Sequence, residues 1–270
     1  MNDLTHGAPA PVLAARKGSA PPFTLERIRA LRPRAPGLVS FETTRPTGFR
    51  FTPGHYARLG LGPDADVVWR PYSIASPADE ERLAFQLTRV PGGAFNGLFE
   101  SLRTGDPIRV DRRSFGFLTL AQVAPGGTLW LLATGTGVAP FVSMLADPAT
   151  WMRHERVVLV HSVRHALELA TGEVQAAMGR RSPEERARLL TVPVVTREAT
   201  PGALRARIGE LLRTGALEAV AGGAIAPDRA RVMLCGNPEM IRDVRAFARE
   251  RGLEPGRRGI PGSLATEGYW

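Results

Sequence analysis

The sequence predicts two domains, a six-stranded antiparallel β-barrel followed by an α/β domain with a parallel sheet. The first half alternates apolar and polar residues over short segments, the second half has continuously apolar runs, and a Gly- and Pro-rich segment at 124–127 separates them. With 270 residues, 43% of them hydrophobic, the chain is long enough to bury two cores. We place the barrel domain at 23–123 and the α/β domain at 128–270, and we expect residues 1–22 to form a flexible extension.

Six strands and one helix are expected in the barrel domain. Its short apolar segments are separated by Gly, Pro and polar turn residues. This pattern is typical of antiparallel strands, because each strand has one face in the core and one face in solvent. The predicted strands are 24–30, 38–43, 55–61, 67–74, 83–90 and 106–111, and the predicted helix covers 94–103.

The α/β domain is expected to alternate strands with helices. Residues 129–133 are continuously apolar, as expected for a strand that is buried on both faces of a parallel sheet. Strand and helix in alternation favour such a sheet, because parallel neighbours need a crossover connection. The predicted strands are 129–133, 156–161, 190–195 and 231–235, and the predicted helices are 139–145, 166–178, 203–213 and 239–251.

Composition argues against several classes of protein. No apolar run approaches the ~18 residues that span a bilayer, and the N-terminus lacks the charged start and apolar stretch of a secretory signal. We therefore expect a cytoplasmic protein without a membrane partner. The single cysteine, Cys235, allows no internal disulfide, and an iron–sulfur centre needs about four cysteines, so we expect no metal site.

The charge of the chain is basic but not organised for nucleic acid. The formal net charge of +9 comes almost wholly from arginines, since Lys17 is the only lysine. These arginines are scattered in short pairs and form no basic stripe or recognisable nucleic-acid module. We therefore expect no nucleic-acid partner, and we expect the protein to act as a monomer.

A glycine-rich turn opens the α/β domain. The segment Thr134-Gly135-Thr136-Gly137-Val138-Ala139-Pro140 follows a predicted buried strand and leads into a helix. Glycines let a pyrophosphate approach the backbone, and the start of the helix offers unpaired N–H groups. The pattern G-x-G-x-x-P lacks the third glycine of the dinucleotide fingerprint, so a phosphate-binding turn and a tight structural turn both remain open at this point.

The residues after the next strand, 156–161, indicate which nucleotide the turn would bind. A unit that binds NAD usually carries a carboxylate about 20 residues beyond the glycines, on the ribose 2′-hydroxyl. Here Ser162-Val163-Arg164 follows instead, and an arginine can pair with a 2′-phosphate through charge-assisted hydrogen bonds. The sequence favours NADP, although Arg164 taken alone is also typical of a surface loop.

A second candidate motif, Arg70-Pro71-Tyr72-Ser73, ends a predicted strand of the barrel. It offers a guanidinium for a diphosphate, an aromatic ring for stacking and a hydroxyl for a hydrogen bond, which together suit a flavin. By itself the combination is unspecific, because a tyrosine on a strand is more often a packed core residue.

In their order along the chain, these motifs resemble the ferredoxin–NADP reductase superfamily and, within it, the bacterial ferredoxin or flavodoxin reductases. The resemblance extends from 23 to 270. The segment 70–73 is similar to the family's R-x-Y-S flavin signature, 90–96 to its diphosphate-binding turn, and 235–238 to its C-G-x-P segment. The cofactor-binding residues implied by the resemblance are Arg70, Pro71, Tyr72, Ser73, Val90, Gly92, Gly93, Ala94, Phe95, Asn96, Thr134, Gly135, Thr136, Gly137, Pro140, Arg164, Arg197, Arg207, Cys235, Gly236, Tyr269 and Trp270.

The resemblance implies an FAD-dependent ferredoxin (flavodoxin) NADP⁺ reductase. Such an enzyme transfers hydride between NADPH and the flavin, and single electrons to or from ferredoxin or flavodoxin, which are acidic carriers. Ser73, Cys235 and Glu267 are the implied catalytic residues. From the residues alone, Cys235 is equally a small buried hydrophobe and Glu267 a solvated tail residue.

Two departures from the family pattern and several other functions stay open. Asn96 stands where a hydroxyl residue is usual, and Pro71 stands where a small residue is common. The same two cofactors would serve an NADPH-dependent flavin or ferric-chelate reductase, or the reductase component of an oxygenase. A redox sensor that binds FAD without turnover is the alternative from a different class.

Overall fold

The computed structural model describes residues 21–257 and 259–268, and their strands form one antiparallel and one parallel sheet. The antiparallel sheet has the order β4-β3-β6-β1-β2-β5. Its strands are β1 (Phe23–Ala35), β2 (Leu38–Thr44), β3 (Tyr56–Leu61), β4 (Val68–Ser73), β5 (Arg82–Thr88) and β6 (Pro107–Phe115), and helix α1 (Ala94–Glu100) follows β5.

The antiparallel sheet curves around a core of aromatic and aliphatic residues. Phe41, Phe85 and Phe99 are buried in this core. Just beyond β4, the Ala75 N–H donates a hydrogen bond to the Ala84 carbonyl of β5 at 2.8 Å. The two ends of the sheet therefore approach each other, as the predicted barrel requires.

Strand β1 is longer than the sequence predicted. It pairs with β6 as far as Arg27 and then with β2 as far as Ala35, opposite Leu38. Pro33 lies in the part that pairs with β2, where the missing N–H costs little because the strand needs partners on one side only. The proline and the arginines around it concealed this extension in the sequence.

The parallel sheet has the order β11-β10-β7-β8-β9. Its strands are β7 (Thr128–Thr134), β8 (Arg156–Val163), β9 (Leu189–Val195), β10 (Ala230–Gly236) and β11 (Leu264–Gly268). The helices around it are α2 (Ala139–Ala146), α3 (Pro148–Arg153), α4 (Thr171–Met178), α5 (Pro183–Ala187), α6 (Ile208–Arg213), α7 (Ala216–Ala221) and α8 (Pro238–Glu250).

The parallel sheet is buried on both faces, which explains its continuously apolar strands. In β7, Leu129 and Leu131 pack in the core on one side, whereas Trp130 and Leu132 pack in the core on the other side. Successive side chains point to opposite faces of a strand, so an unbroken apolar run fills both cores. The predicted sheet is confirmed.

Several elements of this half differ from the prediction, and the short helices α3, α5 and α7 were not predicted at all. The helix predicted over 166–178 begins only at Thr171, because the Ala170 N–H donates to the His161 ring instead of to a helical carbonyl. The helix predicted over 203–213 begins at Ile208, since Leu204 bonds to β9. Strand β11 was not predicted, because it is short and its pairing with β10 is a tertiary contact.

No helix within the described ranges is long and apolar enough to cross a membrane.

Candidate active site

A cleft of about 350 Å³ opens at the carboxyl end of the parallel sheet. This end is where ligands bind in open α/β sheets, because the loops that follow the strands meet there. Thr88, the last residue of β5, also lines the cleft, so the antiparallel half contributes one wall. The predicted contacts that line it are Thr134, Gly135, Thr136, Arg164, Arg197, Arg207 and Gly236.

The glycine-rich turn fits closely against the end of β10. A Cβ at Gly137 would lie 2.3 Å from the carbonyl oxygen of Cys235, and a Cβ at Gly236 would lie 2.1 Å from Thr134 Oγ1. The Asn237 N–H donates to Thr134 Oγ1 at 2.7 Å. These two glycines are therefore required by packing, which brings the two loops together.

Gly135 has a different reason to be glycine. Its φ is +52°, and no atom lies within 4 Å of the position that a Cβ would take. The open space beside Gly135 belongs to the cleft, so a ligand can approach the backbone there. The turn thus fits a pyrophosphate at Gly135, whereas Gly137 and Pro140 are buried and do not line the cleft.

A buried histidine supports the turn from behind. His161, in β8, is 6% exposed, and its Nε2 lies 2.9 Å from the carbonyl oxygen of Gly135. Its Nδ1 accepts a hydrogen bond from the Ala170 N–H at 3.3 Å. Burial lowers the pKa of His161 to about 4, so the ring is neutral at pH 7. A neutral ring with Nδ1 accepting carries its proton on Nε2, and Nε2–H donates to Gly135.

Three exposed arginines stand at the far end of the cleft, and we call them the arginine cluster: Arg164, Arg197 and Arg207. The Arg197 N–H donates to the Arg164 carbonyl at 3.0 Å, which joins the loops after β8 and β9. Within the described residues, Arg207 pairs with Glu239 at 3.2 Å, whereas Arg164 and Arg197 form no ion pair. The cluster therefore offers two uncompensated guanidinium groups to an anion.

The two predicted flavin segments lie side by side. Tyr72 of β4 contacts Phe95 of α1, with ring centroids 5.2 Å apart. It also contacts Phe41 at 6.1 Å, and burial raises the pKa of the Tyr72 phenol. Arg70 and Pro71 are exposed, and the Arg70 guanidinium donates only to the carbonyl of Trp69 among the hydrogen bonds of the described chain.

The turn before α1 fits a diphosphate. Gly93 precedes the helix, no side chain caps its first N–H groups, and its first turn has no acidic residue. Gly92 has a φ of +73° with open space beside it, whereas Ala94 opens the helix and Val90 accepts the turn's internal bonds. The Asn96 amide donates to the Val90 carbonyl at 3.1 Å, so it stabilises the turn itself.

The three implied catalytic residues lie where the two halves meet. Ser73 is buried at the end of β4, opposite Tyr56 of β3. A Cβ at Gly116 would lie 3.2 Å from the Tyr56 ring and 3.4 Å from Glu267 Oε2. Glu267 is opposite Cys235 in the register of β10 and β11. We call the region formed by Tyr56, Ser73, Gly116, Cys235 and Glu267 the Glu267 contact.

Glu267 is not a solvated tail residue. It lies in β11, and burial raises the pKa of its carboxyl to about 7. Its Oε1 is buried and has no hydrogen-bond partner among the residues that the structure describes. Cys235 is fully buried in the core, so a role for its thiol stays a prediction. Tyr269 and Trp270 lie outside the described residues.

Sequence reasoning missed several residues of the cleft. Asn237 caps α8 by accepting hydrogen bonds from the Glu239 and Met240 N–H groups, and the order Asn-Pro-Glu is a recognisable start of a helix. Thr88 gave no signal, because it reaches the cleft only through the packing of the two halves. Other missed lining residues include Glu168, Gly209, Glu239 and Asp243.

The chain is similar to several known oxidoreductases. The oxidoreductase NAD-binding domain family matches residues 131–246. Ferredoxin–NADP reductase A of Sorangium cellulosum is 39% identical over 254 residues, which cover 92% of this chain and 90% of that protein. The ferredoxin–NADP reductase of Pseudomonas aeruginosa is 37% identical over 251 residues, covering 90% of this chain and 95% of its own. A crystal structure of a ferredoxin NADP⁺ reductase from Neisseria gonorrhoeae with bound FAD and NADP has a TM-score of 0.85 and 33% identity, covering 92% of this chain and 99% of that chain.

Proposed function

This chain belongs to the bacterial ferredoxin–NADP reductase family, and we propose that its cleft presents NADPH to an FAD held against β4 and α1. It is an oxidoreductase that exchanges electrons between NADPH and ferredoxin or flavodoxin. The observation that supports the cleft assignment most strongly is the pair Arg164 and Arg197, which are exposed, joined through their backbones and unpaired among the described residues.

The residues that would hold FAD come from the antiparallel half. Arg70 would bind the diphosphate together with the uncapped N–H groups after Gly93, and Tyr72 would stack on the flavin. Bound FAD supplies the chemistry that amino acids lack, because it accepts a hydride from NADPH and releases electrons one at a time. We propose 23–123 as the FAD-binding domain and 128–270 as the NADP-binding domain.

The arginine cluster would select NADPH over NADH. The 2′-phosphate is the group that distinguishes the two nucleotides, and a guanidinium binds phosphate through strong, charge-assisted hydrogen bonds. Arg207 would have to leave Glu239 to join the other two arginines on the phosphate. The open backbone at Gly135 would receive the pyrophosphate.

The Glu267 contact would act on the reacting end of the nucleotide. Ser73 would orient the flavin through its hydroxyl, and Cys235 would shape the wall behind the nicotinamide. Because burial raises the pKa of the Glu267 carboxyl to about 7, this group can change its protonation state near neutral pH. It can therefore donate or accept a proton at Oε1, the atom that has no partner in the described residues.

The remaining proposals concern partners. A formal net charge of +9 favours association with an acidic carrier, and salt should slow this association by screening the attraction. We propose a cytoplasmic monomer that binds no nucleic acid, since the arginines form no continuous stripe in the sequence.

The test is turnover of a defined carrier. The purified protein, loaded with FAD, should reduce a bacterial ferredoxin or flavodoxin with NADPH as the electron donor, and the rate should fall as salt is added. If the loaded protein oxidises NADPH but reduces only free flavin or ferric chelates, then the carrier assignment is wrong. A folded protein that retains no FAD would contradict the whole proposal.

A further inference from the structure

Two histidines are buried in the parallel half, at opposite ends of the same sheet, and each contacts the carbonyl of a glycine. His161 contacts Gly135 at the carboxyl end, beside the cleft. His154 contacts Gly126 at 3.2 Å at the amino end, where β8 begins. They are 6% and 2% exposed, so both are deeply buried. Only His161 touches the glycine-rich turn of the cleft. This difference suggests that His161 has a role in nucleotide binding that His154 lacks.

His161 joins two loops through one ring. Nε2–H donates to the carbonyl of Gly135, in the turn after β7, and Nδ1 accepts the N–H of Ala170, just before α4. Because the ring has one donor and one acceptor when neutral, both bonds can be satisfied only in this tautomer. Lysine, serine or a protonated histidine could not satisfy the same pair of groups in the same way.

The bond to Gly135 fixes the orientation of a peptide group. A trans peptide is planar, and its carbonyl and N–H point in opposite directions. Since His161 holds the Gly135 carbonyl toward the interior, the N–H of Thr136 is directed away from the ring, and Thr136 lines the cleft. Gly135 begins a short 3-10 helix that ends at Val138, and its φ of +52° with open space at its Cβ position lets a ligand approach this peptide.

We propose that His161 is a positioning residue, which orients the peptide between Gly135 and Thr136 so that its N–H can bind the pyrophosphate of NADPH. The inference rests on the proposed function, because it assumes that the nucleotide occupies this cleft. His161 does not touch the nucleotide and acts through the backbone. Its loss should therefore weaken nucleotide binding and should leave FAD in place.

The variants separate the two bonds of the ring. In His161→Gln the amide nitrogen reaches about as far as imidazole Nε2 and can donate to Gly135, whereas in His161→Asn the amide reaches only as far as Nδ1. His161→Phe removes both bonds. His154→Phe is the matched control, since it removes an equally buried histidine and a glycine contact at the other end of the sheet.

The measurements are the NADP⁺ dissociation constant by titration calorimetry, amide hydrogen exchange over 134–138, and KM and kcat for NADPH, all with FAD-loaded protein. We expect His161→Phe and His161→Asn to raise the dissociation constant and KM about tenfold, which corresponds to one lost hydrogen bond to a charged group. Exchange over 134–138 should become faster, kcat should change less than KM, and His161→Gln should stay within about threefold of the wild type.

Each outcome decides the inference. Equal NADP⁺ affinities for His161→Phe and His154→Phe would overturn it, and so would equal affinities for His161→Gln and His161→Asn. If His161→Phe does not fold, the Gln and Asn pair still gives the answer. Failure of the wild type to bind NADP⁺ would instead contradict the proposed function, so the two failures are distinguishable.

Discussion

The arginine cluster and the Glu267 contact hold charge in opposite ways. Arg164 and Arg197 are exposed at the cleft, and on the proposed function they would gain a partner when the 2′-phosphate binds. Glu267 is largely buried without a partner for Oε1 among the described residues, so its charge is disfavoured before any ligand binds. On the proposed function, the arginine cluster would recognise the nucleotide, whereas the Glu267 contact would respond to the binding of a proton.

The strongest effect is expected at the arginine cluster, where the 2′-phosphate of NADPH would bind. The double variant Arg164→Ala with Arg197→Ala should raise the KM for NADPH by about 100-fold, because two charge-assisted hydrogen bonds to phosphate are lost. The KM for NADH, which has no 2′-phosphate, should change less than about twofold. Steady-state kinetics with both nucleotides measure the difference.

Arg205→Ala is the matched control for the arginine pair. Arg205 is exposed and lies between the cluster residues in sequence, yet it does not line the cleft. The Arg205→Ala variant should leave the KM for NADPH and the KM for NADH unchanged. An equal rise for NADPH and NADH in the double variant would remove the 2′-phosphate from the assignment.

The second prediction concerns Ser73, in the Glu267 contact. Ser73→Ala should slow flavin reduction by NADPH about tenfold while FAD stays bound, because a hydroxyl that orients the reacting ring is lost. Stopped-flow absorbance measures the rate, and the spectrum reports FAD retention. Ser76→Ala is the control, since Ser76 is equally buried and its hydroxyl accepts the Ala84 N–H. If Ser73→Ala reacts at the wild-type rate, Ser73 has no part in the chemistry.

A third prediction uses the raised pKa of Glu267. Its folded pKa of about 7 lies above its unfolded value of 4.5, so the stability that this group contributes is fully present below pH 4.5 and is lost as pH rises through 7. Relative to Glu267→Gln, the wild type should lose about 1–3 kcal/mol of unfolding free energy between pH 5 and pH 8. Urea unfolding across this range measures it, and parallel pH curves for the two proteins would show that Glu267 is not perturbed.

The smallest effect concerns the ion pair inside the arginine cluster. Glu239 holds Arg207 at 3.2 Å, and both side chains are more than half exposed. Glu239→Gln should free Arg207 and lower the KM for NADPH about two- to threefold, which is the scale of an exposed salt bridge. Glu254→Gln, which loses a similarly exposed contact with Arg257, is the control. A rise in KM would mean that Glu239 helps to bind the nucleotide.

Local patterns were enough to predict the two sheets. A continuous apolar run such as 129–133 indicates a strand that is buried on both faces. An alternating segment such as 38–43 indicates a strand with one face in the core and one face in solvent. Strand β11 and the late start of α4 could not be predicted in this way. The first depends on pairing with β10, and the second depends on the His161 ring, which takes the N–H of Ala170.

The candidate site was predictable where one loop carries its own motif. Gly135 and Arg164 stand directly after strands, and strands in a parallel sheet bring such loops to one edge. Thr88 and the burial of Glu267 were not predictable, since both arise from packing between the two halves of the molecule. The role of Asn96 was also not predicted, although its amide bonds locally, within its own turn.

The most direct measurement is anaerobic rapid mixing of the FAD-loaded protein with NADPH and, separately, with NADH, followed by the flavin absorbance. We predict that NADPH bleaches the flavin quickly at micromolar concentrations and that NADH needs far higher concentrations. Equal response to the two nucleotides, or no bleaching by either, would contradict a cleft that binds the 2′-phosphate and delivers the nicotinamide to FAD.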